Sequence, residues 1–249
     1  MKEEFEYTGI GCYVPKDITS VRFIEGLQKV GSGAFRGCTS LKSVTLPPTL
    51  VEIGMHAFRD CSNLREVIFN NGLQKIGDQV FHNCKSLENI TLPSTLVEIG
   101  ANTFEYCSNL RDIILNEGLK KIVEYAFNMC TSLESITLPS TITEIGANAF
   151  CGCSNLREVI FNGGPQKIAR GVFYNCASLK SITLPSTVIE IDGGAFHSCS
   201  NLREVELNGV PQCLQSEAFY NCDALERFLF PTISYRLENI IQTRGRTGR

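Results

Sequence analysis

Nine cysteines stand at positions 38, 61, 84, 107, 130, 153, 176, 199 and 222, and every interval between them is 23 residues. Phenylalanine keeps the same beat three residues earlier, from Phe35 to Phe219, and leucine keeps it three residues later, from Leu41 to Leu225. A strict period between about 20 and 50 residues identifies a solenoid, in which each repeat is one coil that buries its apolar face only by stacking on its neighbours.

The spacing inside one period says how a coil is built. Val67 and Phe69 are two apart, so both point inward from a short strand, while Glu66 and Ile68 point outward. Leu73 and Ile76 fill the core on a short return strand, and a small residue with Phe81 closes the coil in what reads as a short helical or 3₁₀ segment. Glycines 31, 54, 77, 100 and 146 fall where the return strand bends, and they are assigned positive φ. Ile18, Val21, Phe23, Leu27 and Val30 extend the register one coil backward, which gives ten strands and, at about 4.8 Å per strand, a stack about 45 Å long.

The predicted architecture is therefore an α/β-type repeat solenoid of about ten coils with a parallel concave β-sheet. Its ends need covers, because an open solenoid exposes core and unpaired strand edge. Residues 1–17 are assigned as the N-terminal cap and 18–231 as the solenoid. Residues 232–243 are assigned as a capping helix, N-capped by Ser234 with Leu237, Ile240 and Ile241 on one face, and 244–249 as a disordered tail.

Composition excludes some functions. A net charge of -3 gives no electrostatic reason to expect nucleic acid, and no apolar run approaches the roughly 18 residues a membrane span needs. The opening "MKEEFEYTGIGCYVPKD" lacks the apolar core of a secretory signal, so the expected location is cytoplasmic as written, or the cell surface if an export signal precedes this chain. Monomer, or weak oligomer through the solenoid ends, is the expected state.

Three readings compete for the cysteine ladder. Zinc sites use ligand pairs two to four residues apart, whereas this spacing supplies one cysteine per coil. Disulfides are conceivable by distance, but stacked side chains point in parallel and their number is odd. The favoured reading is a small buried hydrophobe at each corner, which implies a reducing compartment or thiols sealed from oxidant. Cys12, Cys151 and Cys213 lie off the beat and are the candidates for reactivity.

A longer period runs through the shorter one. Strands at 41, 87, 133 and 179 carry "VTLP" or "ITLP", while those at 64, 110, 156 and 202 carry "VIFN", "IILN", "VIFN" and "VELN", so the unit is a pair of coils, 46 residues long. On the outward face this writes a column containing Ile68, Thr91, Ile114, Thr137 and Ile160. Beside it runs an acidic row with Glu66, Asp112, Glu158 and Glu204, and beyond that a mixed row with Arg65, Arg111, Arg157 and Arg203. Arginine and exposed isoleucine suit contact with a protein partner, and these thirteen residues are the candidate binding face. The bland alternative is a solvated sheet of good strand formers with self-neutralising charges. On the turn side Tyr106, Tyr125, Tyr174 and Tyr220 form a second, weaker candidate surface, and His56, His82 and His197 fall at unequal repeat positions.

The stretch "SLESITLPSTITEIGANAFCGCSNL" (132–156), with "I-T-L-P", "E-I-G" and "A-F-x-x-C" recurring over roughly 18–231, resembles the BspA-like, Treponema-type leucine-rich repeat. The resemblance implies a leucine-rich-repeat fold and, for function, surface adhesion to host or matrix proteins. It supplies no catalytic residues. No nucleophile–base pair, phosphate loop or carboxylate constellation stands out, so no cofactor or metal is expected. The expected function is a non-catalytic protein-interaction scaffold, with a BspA-type adhesin or a structural array without ligand as alternatives.

Overall fold

The computed structural model describes residues 4–231. The chain winds as a parallel β-solenoid of nine complete coils and a tenth strand, with each coil 23 residues long. The principal strands run from Val21–Phe23 to Arg227–Leu229 and pair one coil length apart, as Ser135 with Glu158 and Ser181 with Glu204. Phe5–Tyr7 adds one further parallel strand against Val21–Phe23, so this sheet begins one strand before the repeat does. Nine two-residue return strands, from Lys29–Val30 to Cys213–Leu214, form a second ladder. The predicted helix at 232–243 and the tail at 244–249 lie outside the described residues.

The inward residues fill the core as their period requires. Strands such as Glu66–Ile68 and Asn89–Thr91 alternate exposed, buried, exposed. The phenylalanines from Phe35 to Phe219 stack ring on ring, with centroids 5.0–5.7 Å apart and planes within 19° of parallel. Tyr7 continues the stack at the N-terminal end, 5.0 Å from Phe35, and its hydroxyl accepts a hydrogen bond from the Gly31 amide.

Two expectations fail at the corner of the coil. No helix occurs among the described residues, and the segment around each phenylalanine is a run of consecutive tight turns. Each run holds two residues in the left-handed region four positions apart, such as His56 and Asp60, Asn83 after Gln79, or Tyr125 and Met129. Left-handed residues interrupt a right-handed helix, and single Asn, Asp and Gly residues tolerate them best. The amides between these positions turn outward along the stack. Phe35 N–H donates to the Ala57 carbonyl at 2.7 Å and Phe127 N–H to the Ala149 carbonyl at 2.8 Å, and the pattern repeats from coil to coil.

The second failure concerns glycine. Gly31, Gly54, Gly77, Gly100 and Gly146 all have ordinary negative φ. Their reason is proximity: a Cβ on Gly77 would lie 2.7 Å from the Met55 amide nitrogen, and one on Gly146 would lie 2.5 Å from that of Glu124. Val123 and Ala169 occupy the equivalent position in other coils, so the approach is closest only at some seams.

All twelve cysteines are free thiols, and the nine on the beat are buried. They do more than fill space. From Cys61 onward each thiol donates to the carbonyl of the phenylalanine 26 residues back, for example Cys61 to Phe35 at 3.1 Å and Cys130 to Phe104 at 3.2 Å. Burial pushes Cys61 and Cys107 up to about 12 and holds Cys84, Cys130 and Cys176 well above the ordinary thiol range. Alkylation of the native reduced protein should therefore modify exposed Cys213 first and half-buried Cys12 and Cys151 more slowly. The nine ladder thiols should react only in denaturant, as peptide mass spectrometry would show. A ladder cysteine labelled as fast as Cys213 would mean that its coil is open.

Candidate protein-binding surface

The two-coil period reappears in the hydrogen bonding of the main sheet up to Glu204–Leu207, which pairs with both its neighbours. Ser43–Thr45 pairs with Glu66–Ile68, Asn89–Thr91 with Asp112–Ile114, and Ser135–Leu138 with Glu158–Phe161. No strand pairing bridges Glu66–Ile68 to Asn89–Thr91, Asp112–Ile114 to Ser135–Leu138, or Glu158–Phe161 to Ser181–Leu184. The return ladder is also broken between Lys75–Ile76 and Glu98–Ile99. At that seam both ladders open together, while the turns still bridge it through Gln79, Phe81 and Asn83, whose amides donate to Ala101, Thr103 and Glu105. A groove of about 760 Å³ lies over the seam on the outward face, with Arg65, Glu66, Ile68, Asn89, Thr91 and Asn116 in its walls.

The strands set all thirteen predicted face residues on this one surface. Twelve are exposed, and Glu204 is half-buried beside Arg227, whose guanidinium lies 2.5 Å from its carboxylate. Ile68, Ile114 and Ile160 are 48%, 57% and 40% exposed, so the outward pleat leaves roughly half of each residue uncovered. Arg65 and Arg203 lie six coils apart, about 29 Å at ordinary strand spacing, so the surface is a strip and not a point site. Arg157 pairs with Glu134 at 3.4 Å, whereas Arg65, Arg111 and Arg203 form no ion pair within the described residues. The stripe ends at Glu206, which accepts a hydrogen bond from Thr183 where the two-coil rule would place isoleucine.

The turn side has a different chemistry. His82 lies 3.2 Å from Glu105, and Asn102 and Asn128 donate to the same carboxylate. Burial and the nearby Arg59 guanidinium lower the His82 pKa against the opposing pull of Glu105. Tyr174 stacks on His197 with centroids 4.8 Å apart and Tyr220 lies tilted against the same ring at 5.0 Å, so one histidine joins two of the predicted tyrosines. Among the described residues no three His, Cys, Asp or Glu side chains converge as metal ligands, and no helix is long and apolar enough to cross a membrane.

A parallel solenoid with an inward leucine–valine strand and a short return strand defines the leucine-rich-repeat class. Within that class the BspA type leucine rich repeat region matches residues 8–134 and 120–241, and the chain belongs to the BspA-type family. The leucine-rich repeat protein of T. pallidum is 35% identical, with 70% of this chain and 82% of that one aligned at a TM-score of 0.61. The pneumococcal vaccine antigen PcpA is 23% identical over 92% of this chain and 61% of its own, with a TM-score of 0.59. A leucine-rich repeat protein from Eubacterium ventriosum is 20% identical over 88% and 79%, with a TM-score of 0.54. At those identities the last two likenesses concern the fold alone. No curated protein matches the sequence.

Proposed function

We propose that this chain is a non-catalytic scaffold that binds a protein partner through the outward face of its concave sheet. The observation that carries this reading is the exposed strip of Ile68, Ile114 and Ile160, flanked by Arg65 and Arg111, which form no ion pair among the described residues. A solvated sheet needs no repeated exposed isoleucine, whereas apolar and arginine side chains together are the usual anchors of protein interfaces. Family membership supports a protein-interaction or surface-protein role. The BspA-type adhesin is the second reading, and it uses the same surface with a host or matrix protein as partner.

The test is affinity capture with the wild-type chain and with a variant carrying Arg65→Glu, Arg111→Glu and Arg157→Glu together. The variant should fold normally, because exposed charges contribute little to stability, and it should lose the partners the wild type retains. Recovery of the same partners by both would sink the proposal. Recovery of matrix proteins by the wild type alone would select the adhesin reading.

A further inference from the structure

We infer that the segment this surface accepts is a basic, proline-rich stretch in the polyproline II conformation, lying along the solenoid axis with a triplet repeat of apolar, basic and outward-facing residues. The inference rests on the proposed role of the concave face and specifies its ligand. Ile68, Ile114 and Ile160 recur every second coil, and so do Glu66, Asp112 and Glu158 beside them. At an ordinary strand spacing of about 4.8 Å, both rows repeat every ~9.6 Å along the axis.

Few peptide conformations share that repeat. Polyproline II advances about 3.1 Å per residue with three residues per turn, so every third side chain points the same way at ~9.3 Å intervals. A heptad on an α-helix repeats at about 10.5 Å, and an extended strand repeats on one face at about 6.6 Å. Between Ile68 and Ile160 the accumulated mismatch is therefore roughly 0.6 Å for polyproline II and 1.8 Å for the helix, while the strand is out of step after one repeat. Polyproline II also presents its side chains in three columns. One column can cover the isoleucines while the next reaches the acidic row.

Charge sets the sign of that second column. Glu66, Asp112 and Glu158 form an acidic row spaced by the uncharged Asn89 and Ser135, whereas in the row beyond them Glu88 and Glu134 alternate with Arg65, Arg111 and Arg157 and offset two of the three. Across this stretch the face is net negative, so the complementary ligand is basic. Thr91 and Thr137 stand between the isoleucines with exposed side chains. Their hydroxyls can donate to the carbonyls of a polyproline II backbone, which has no internal hydrogen bonds. The groove at Ile68 and Thr91 lies on the path of such a segment.

The experiment is fluorescence-anisotropy titration with labelled dodecapeptides (Leu-Pro-Lys)₄ and (Leu-Lys-Pro)₄, since the hand of the ligand helix selects one order. The comparison peptides are a shuffled sequence of the same composition, a Leu-Pro-Glu version and a helical Leu/Lys heptad peptide. One triplet peptide should bind at least about tenfold more tightly than every comparison peptide. Ile114→Glu should weaken it about tenfold or more, and the triple variant Glu66→Lys, Asp112→Lys, Glu158→Lys should shift preference to the Leu-Pro-Glu peptide. Equal binding of the shuffled peptide, tighter binding of the heptad, or no triplet binding would overturn the inference. The arginine row lies beyond the acidic one and would meet the rest of the partner, so the arginine variant should keep the triplet peptide while it loses captured partners. If it loses partners and no triplet peptide binds, the concave-face reading stands and only this ligand class falls.

Discussion

Raising the pH just above the ordinary thiol range should unfold this protein cooperatively. Burial raises the pKa of seven ladder thiols, Cys38, Cys61, Cys84, Cys107, Cys130, Cys153 and Cys176. In the unfolded chain each titrates near about 8.5. Because the folded value lies above the unfolded one, the stabilisation is fully present below about pH 8.5 and is lost as pH rises towards the folded value. Once the unfolded thiols are ionised, each thiol held far above the ordinary range contributes a loss of about 1.4 kcal/mol per pH unit, so the six from Cys61 to Cys176 together approach roughly 8 kcal/mol per unit. A domain with typical stability of about 5–15 kcal/mol cannot survive far above pH 9.5 on that slope. Urea unfolding at closely spaced pH values under reductant would measure it, and Cys107→Ala should make the slope shallower. A stability that stays level from pH 8 to pH 10 would refute the prediction.

The second large effect is expected from Phe127→Ala. Phe127 is fully buried and stacked on both sides, 5.3 Å from Phe104 and 5.3 Å from Phe150. Its loss removes a large apolar side chain and leaves a void whose walls are held by the two ladders, so it should destabilise by about 4 kcal/mol. The position matters because coils touch only their neighbours. A break in the middle of a one-dimensional array separates two stacks that otherwise support one another. Chemical denaturation should show either that loss or a split into two transitions. A change below about 1 kcal/mol would mean that the ring stack is not a main source of stability.

The coil and its core are legible in the sequence because inward residues obey strict spacing. Val67 and Leu64 face the core, Glu66 and Ile68 face out, and the period fixes every other copy. The corner resists the same treatment. Left-handed residues at His56, Tyr125 or Met129 carry no side-chain signature, so a compact apolar turn looks like helix. The glycines mislead for another reason: what excludes a Cβ at Gly77 is the backbone of Met55, 22 residues away, which no local pattern displays. The candidate face lies between these cases. Its columns follow from strand alternation, and all thirteen residues do fall on one surface. The groove beside Ile68 depends on which neighbouring strands leave their pairing open, and the residues at that seam repeat those of other seams.

The outward amides of the turns give the molecule a direction. Phe35 N–H donates to Ala57, Phe58 to Val80, Phe81 to Thr103 and so on to Phe196 and Ala218, always from the earlier coil to the later one. A parallel series runs from Gly37 N–H to Arg59, through Asp60 and His82, to Ser198 and Tyr220. Such chains add their peptide dipoles head to tail, as an α-helix does, and each link polarises the next. Here the positive end is the C-terminal one, opposite to the sense of a helix. The carbonyls that begin the chains face the N-terminal end, where the Lys16 ammonium donates to the Arg36 carbonyl at 2.5 Å. The solenoid is thus an axial electric dipole, with a cation of its own already seated at the negative pole.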